Sequence, residues 1–178
     1  MTSKFTSLKH PVQNYPYRQP MDIVKPLIPY ITNKSVCDIG CGCGDVLFEL
    51  GKHASEIFGI EFNMEFKNQL EKIGVDRSFI KWGDVFETEI PKSDVYYIWI
   101  SSDVSLNRRI IDLLPKDSLV IDATARLELF SEFKDLKLIE KIEYKFSEES
   151  LIGSAPAVVG GVSFDTIGTN IVRIYKKI

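Results

Sequence analysis

A chain of 178 residues, 44% hydrophobic and 26% charged, has the size and composition of one globular domain that buries a sizeable core. A net charge of −3 argues against broad nucleic-acid binding, and the short, interrupted apolar runs leave no membrane span. Three cysteines, an odd number gathered at positions 37, 41 and 43, exclude a disulfide framework. The opening Met1-Thr2-Ser3-Lys4-Phe5-Thr6 lacks the apolar region of a signal peptide, so the expected compartment is the cytoplasm.

In chain order, residues 1–19 are polar, and Pro11, Pro16 and Pro20 block regular structure. Residues 1–35 carry Lys4, Lys9, Arg18, Lys25 and Lys34 against Asp22 alone, a basic arm that reads first as solvated and second as a polyanion contact. Met21, Val24, Leu27 and Ile28 recur at helical spacing and predict a short helix over Met21–Tyr30, limited by Pro26 and Pro29. Strand Ser35–Ile39, a glycine turn and helix Asp45–Ala54 follow, then strand Ile57–Glu61 and a helix capped by Asn63 and closed by Gly74. Ser78–Trp82, Val95–Ile100 and Ser118–Ile121 read as further strands; Asp103–Leu114 and Arg126–Phe133 read as helices. Leu136–Phe146 and Asn170–Lys177 close the chain as two strands without an intervening helix, so one of them must run antiparallel.

The pattern predicts an α/β fold: a three-layer, doubly wound, mostly parallel sheet of about seven strands, with one antiparallel strand near the C-terminus. Residues 1–34 form an arm and short helix packed on a single domain of residues 35–178. Asp38, Glu61, Asp84, Ser101 and Asp122 all fall at carboxyl ends of strands, where such sheets bind ligands.

The stretch Asp38-Ile39-Gly40-Cys41-Gly42-Cys43-Gly44 carries the chemistry. Its glycines recur as G-x-G-x-G, not the G-x-G-x-x-G that seats a pyrophosphate on a helix N-terminus. An acidic residue ahead of the glycines suits a ligand with an ammonium group better than a phosphate. The cysteine spacing C-x3-C-x-C offers no fourth ligand and is unlike a zinc site, leaving the thiols as small apolar fillers.

This stretch resembles motif I, D/E-x-G-x-G-x-G, of the class I S-adenosylmethionine-dependent methyltransferases. The resemblance covers roughly residues 35–125 and implies S-adenosyl-L-methionine as cofactor. It implies that Asp38, Gly40, Cys41, Gly42 and Gly44 wrap the amino-acid end of that molecule. Glu61 would hold the ribose and Phe62 pack beside the adenine. Asp84 would receive the adenine amino group, with Val85 supplying a backbone N–H. Ile100 at the end of the fourth strand and Tyr17 of the arm complete the cofactor set. Asn14–Val24, Gly83–Glu87 and Asp94–Trp99 are also similar to small seven-strand protein-lysine methyltransferases, although Arg18-Gln19-Pro20 and Ile100-Ser101-Ser102-Asp103 depart from their pattern.

Methyl transfer from a sulfonium needs orientation and desolvation rather than a nucleophile or metal. No catalytic residue is assigned: Asp103 is explained as a helix N-cap, and His10 and His53 lie away from the strand tips. The absence of N/D-P-P-Y/F after the fourth strand disfavours planar nitrogen acceptors such as adenine, cytosine or a glutamine amide. The acceptor reading is therefore protein lysine by a narrow margin over a small molecule, with RNA third and nucleic acid an unlikely partner. A non-catalytic nucleoside-binding module and an NAD-dependent oxidoreductase are the alternatives. The long segment 147–169, with a further short strand in it, is expected to cover the acceptor or to form a dimer contact.

Overall fold

The computed structural model describes residues 21–98, 104–123, 133–146, 158–159, 162–163 and 168–178. After a 3-10 turn at Met21–Ile23, the chain forms α1 (Val24–Ile31), β1 (Ser35–Ile39), α2 (Asp45–Leu50) and β2 (Glu56–Glu61). Then come α3 (Met64–Lys72), β3 (Ile80–Trp82), β4 (Val95–Ile98), α4 (Val104–Leu113) and β5 (Leu119–Asp122). The chain closes through β6 (Leu136–Phe146), the short pair β7 (Val158–Val159) and β8 (Val162–Ser163), and β9 (Gly168–Lys177).

Seven strands form one sheet in the order β3-β2-β1-β4-β5-β9-β6. β1 pairs in parallel with β2 and β4, β2 with β3, and β4 with β5. β9 is antiparallel to both β5 and β6, so it is the single reversed strand of the sheet. The order of strands turns back between β1 and β4, and this places the ligand crevice at the carboxyl end of β1.

The alternation of side chains in the central strands explains the two packed faces. Val36, Tyr97 and Ile121 point to one side and join Ile23, Val24, Leu27 and Ile31 of the first helical segment with Leu47 and Leu50 of α2. Cys37, Ile39, Tyr96, Ile98 and Val120 point to the other and meet Ile110, Ile111 and Leu114 beside Phe133. All four residues of β4 are buried, as expected for a parallel strand covered on both faces. The buried Tyr96 hydroxyl is satisfied, accepting from Ser93 N–H at 2.9 Å and donating to the Pro91 carbonyl at 3.0 Å. Register at the start of the central pair is fixed by Asp94, whose Oδ2 accepts from both the backbone N–H and the hydroxyl of Ser35 at 2.9 Å. Those bonds hold the Asp94 carboxyl below its ordinary value.

Several boundaries differ from the sequence reading. α2 stops at Leu50 rather than Ala54, because His53 and Ala54 N–H both return to the Leu50 carbonyl at 3.0 Å and turn the chain toward β2. β3 begins at Ile80 rather than Ser78: Asp76 accepts from Ser78 N–H at 2.9 Å and folds residues 76–79 into a turn. The first helical segment runs through Ile31, and Ile23 and Ile31 are buried more deeply than Met21 and Ile28. β9 starts two residues earlier than expected, at Gly168, and the extra strand anticipated within 147–169 is the β7–β8 pair. Asn63 caps α3 as expected, accepting from Glu65 N–H at 3.0 Å, and Gly74 follows at φ +71°. Of the expected helix Arg126–Phe133, residues 126–132 lie outside the described residues. Among the described residues no helix is long and apolar enough to cross a membrane.

α1 contributes Leu27, which is fully buried within the first core. Leu27→Ala is expected to lower stability by about 2–5 kcal/mol in urea unfolding, the range for a cavity in a close-packed core. A loss below about 1 kcal/mol would mean that α1 is not part of the cooperative unit.

Candidate functional site

The strand tips at the carboxyl end of β1 bring the expected acidic and glycine residues together. Gly40, Gly42 and Gly44 all have positive φ, at 83°, 57° and 74°. Gly44 has no alternative: a Cβ there would lie 2.8 Å from Ile80 Cδ1 and 3.0 Å from Phe79 Cε2, in a backbone conformation that side chains rarely adopt. The turn is tied to β2 by Gly40 N–H, which donates to the Ile60 carbonyl at 2.8 Å, and more weakly by Cys41 N–H at 3.3 Å. Within the turn Gly44 N–H donates to the Cys41 carbonyl at 2.9 Å.

Glu61, the last residue of β2, closes the turn from the side. One carboxylate oxygen accepts from Gly42 N–H at 2.8 Å and the other from Asn63 N–H at 2.7 Å. Each oxygen keeps a second lone pair for a further donor, which is what a ribose diol presents. The backbone carbonyl of Glu61 accepts from Gly83 N–H at 2.8 Å, which brings Asp84 and Val85 to the neighbouring tip. Asp84 folds back on its own loop, accepting from Phe86 N–H at 2.9 Å. Val85 and Phe86 pack against the core beneath α4, and the Arg109 guanidinium lies 3.9 Å from the Phe86 ring centre. Phe62, next to Glu61, is an apolar ring left 73% exposed among the described residues.

Asp38 is the most informative group. It is 2% exposed, and its Oδ1 has no hydrogen-bond partner among the described residues. Burial first, and the charge of Glu61 second, push its carboxyl well above the ordinary carboxylate range. A buried carboxylate of this kind is costly unless a cation or donor reaches it. Cys41 feels the same surroundings: burial, then Asp38 and Glu61, push its thiol well up, and Cys37 is raised to about 12. Both thiols stay protonated and neutral at ordinary pH, in keeping with small packing groups. Cys41 also explains Gly59 of β2, where a Cβ would sit 2.7 Å from the Cys41 sulfur.

The arrangement selects among ligands. Asp38, Glu61 and Asp84 put three carboxylates around the crevice, which repels a pyrophosphate and suits a nucleoside that carries an ammonium group. Asp38, Gly40, Cys41, Gly42, Gly44, Glu61, Phe62, Asp84 and Val85 therefore lie on adjoining tips, while Ile100 and Tyr17 fall outside the described residues. Sequence reasoning missed Arg77, whose side chain lies beneath the glycine turn, and the Asn63 N–H that shares Glu61. Arg77 contacts residues more than thirty positions away in the chain, so no local spacing could have announced it.

No protein-family model matches the chain, and no curated protein does. Solved structures do. The M. jannaschii tRNA m1G37 methyltransferase aligns over 90% of this chain with a TM-score of 0.59 and 16% identity; the chain spans about half of that enzyme, 51%. The tRNA (m1A58) methyltransferase TrmI from Aquifex aeolicus aligns over 94% of this chain and 72% of its own length, with a TM-score of 0.59 and 16% identity. Precorrin-6y C5,15-methyltransferase from Geobacter metallireducens aligns over 88% of this chain and 87% of its own, with a TM-score of 0.51 and 12% identity. The chain thus has the seven-stranded, Rossmann-like fold of class I methyltransferases.

The raised carboxyl of Asp38 has a thermodynamic consequence. Its folded-state value lies above the ordinary 3.8, so folding favours the proton there, and stability falls as pH rises past that value. Asp38→Asn should raise the melting temperature of the ligand-free protein at pH 7 by a few degrees, on the order expected for about 1 kcal/mol. The gain should shrink as pH approaches 4. A melting temperature lowered by the substitution at pH 7 would show that the carboxylate is stabilising instead.

Proposed function

We propose that the chain is a methyltransferase that uses S-adenosyl-L-methionine and acts on RNA. The observation that carries the cofactor assignment is Asp38: a buried carboxylate whose Oδ1 has no partner among the described residues, beneath a glycine turn, at the switch point of a methyltransferase fold. The residues fit this molecule. Asp38 answers the ammonium of its amino-acid end, the Gly40–Gly44 turn admits that end without side-chain obstruction, and Glu61 receives the ribose hydroxyls. Phe62 supplies an apolar face for the adenine, with Asp84 and Val85 at its polar edge.

S-adenosylmethionine supplies a methyl group already activated on a sulfonium. What remains for the protein is to hold donor and acceptor in line and to exclude water, contributions that reach about 7–11 kcal/mol. The paired parallel strands and the bonded turn serve that task by fixing the positions of the tips through backbone hydrogen bonds. A dedicated base is needed only where the acceptor must first lose a proton.

The acceptor assignment moves away from protein lysine. The neighbours from M. jannaschii and Aquifex aeolicus are tRNA methyltransferases, of m1G37 and m1A58, both named for methylation at a purine N1. They favour RNA over the protein side chain suggested by the similarity of Asn14–Val24, Gly83–Glu87 and Asp94–Trp99 to protein-lysine methyltransferases, and they weigh against excluding nucleic acid as a partner. The missing N/D-P-P-Y/F segment bears on amino groups; a ring nitrogen presents its lone pair in the plane of the base. The five basic residues of positions 1–35 are consistent with phosphate contacts. A small-molecule acceptor is the second reading, favoured by the near full-length match to the precorrin enzyme, where the tRNA m1G37 enzyme has about half its length without a counterpart here.

Calorimetric titration with S-adenosylhomocysteine and NAD tests the cofactor assignment. The first should bind in the micromolar range and lose at least about tenfold in affinity in Asp38→Ala, and NAD should not bind. Binding of NAD alone would end the methyltransferase reading. Transfer of labelled methyl from S-adenosylmethionine into unmodified tRNA, and not into the protein fraction of the same lysate, supports RNA; label in protein or in small molecules overturns it.

A further inference from the structure

We infer that Arg77 is a positioning residue for the cofactor: it holds the glycine turn in its binding shape from below. The inference rests on the cofactor assignment above, and it concerns a residue that lies outside the motif. Arg77 precedes β3, in the turn after α3, yet its side chain is only 4% exposed and reaches the opposite end of the Asp38–Asp45 stretch. Its Nε donates to the Cys43 carbonyl at 3.1 Å, and its Nη2 donates to Asp45 Oδ1 at the same distance. The third nitrogen, Nη1, donates to the Asp76 carbonyl at 3.4 Å. The guanidinium plane is also flanked by two rings, its carbon lying 5.0 Å from the centre of Phe48 and 5.8 Å from that of Phe79.

The geometry bears on the turn in particular. Cys43 lies between Gly42 and Gly44, both at positive φ, so the orientation of its carbonyl sets the dihedral angles of the peptide units on either side. Three anchors then define the turn. The Ile60 carbonyl fixes its first two N–H groups, the Glu61 carboxylate fixes Gly42 N–H, and Arg77 fixes the Cys43 carbonyl and the Asp45 carboxylate. Only the first two come from the strand next to β1. The Cys43–Asp45 end is also bonded locally, Gly44 N–H donating to the Cys41 carbonyl and Phe48 N–H to the Gly44 carbonyl, each at 2.9 Å; Arg77 is the anchor that ties it to the segment ahead of β3.

A lysine could not replace this. An ammonium on a flexible stem reaches the Asp45 carboxylate or the Cys43 carbonyl, but it lacks the planar fork that holds both and stacks between two rings. Arg77 also neutralises Asp45, which would otherwise add a fourth carboxylate to Asp38, Glu61 and Asp84 around the crevice. If the role were one of charge alone, lysine would serve as well.

The test is titration of S-adenosylhomocysteine into wild type, Arg77→Lys, Arg77→Met, Asp45→Asn and the double variant Arg77→Met/Asp45→Asn, with thermal melts of each. Arg77→Met should weaken binding on the order of tenfold, the loss expected for charge-assisted bonds. Arg77→Lys should recover less than half of that on a logarithmic scale. The double variant should bind no more weakly than Arg77→Met, because the two groups act as one clamp. Ile110→Val, on the α4 side of the sheet, serves as a control for lost stability. Unchanged affinity in Arg77→Met, full recovery with lysine, or an equal loss in a control of matched melting temperature would each overturn the inference. Wild type that binds neither S-adenosylhomocysteine nor S-adenosylmethionine would overturn the cofactor assignment and this inference with it; wild-type binding with an indifferent Arg77→Met would overturn this inference alone.

Discussion

The carboxylate of Glu61 is where strand geometry becomes a binding site. Its two oxygens accept from Gly42 N–H and Asn63 N–H, so one side chain joins the tip of β2, the turn after β1 and the entry to α3. Asp38 nearby is buried, its Oδ1 without a partner among the described residues, and is pushed toward its neutral form. The two carboxylates are therefore kept in unlike environments. One is held ready by the backbone, and the other waits for a cation. A ligand that brings an ammonium relieves the buried charge, and part of its binding energy comes from a cost the folded chain already carries. The same feature that makes the site receptive makes the empty protein less stable than it would otherwise be at neutral pH.

This explains what was legible in the sequence and what was not. The motif from Asp38 to Gly44, the apolar runs of the central strands, the Asn63 cap and the Gly74 stop are local patterns, and each appears where expected. The reversal of the last strand was also legible, because β6 and β9 follow one another with no crossover helix and an antiparallel partner is the natural outcome. Helix and strand limits were harder to place. The end of α2 depends on the Leu50 carbonyl collecting two N–H groups, and the start of β3 on the Asp76 carboxylate. Neither leaves a periodic trace.

Contacts between distant positions were not legible at all. Ser35 and Asp94 set the register of β1 against β4 across 59 positions, and Arg77 reaches Cys43 across 34. Each residue in isolation reads as an ordinary polar side chain at the edge of a strand or in a loop. Only the parallel topology brings them together, since it returns every strand to the same starting edge after a helix. The cofactor side is thus divided between a motif that can be read and supports that cannot.

The acceptor side follows a different logic. The tips of β1, β2 and β3 are shaped largely by the backbone: glycine dihedral angles, N–H groups and the positions of strand ends. Such features survive wide changes in side chains, because many sequences satisfy the same hydrogen-bonding pattern. The neighbours illustrate it, sharing this fold at TM-scores of 0.51 to 0.59 with only 12% to 16% identity. They are enzymes of acceptors as unlike as tRNA and a precorrin. With an activated methyl donor, the acceptor needs placement more than chemical assistance, and placement can come from any surface near the β4 and β5 tips. A fold that shapes its crevice through the backbone leaves those surfaces free to change, which is how proteins with one sheet come to act on acceptors as unlike as these.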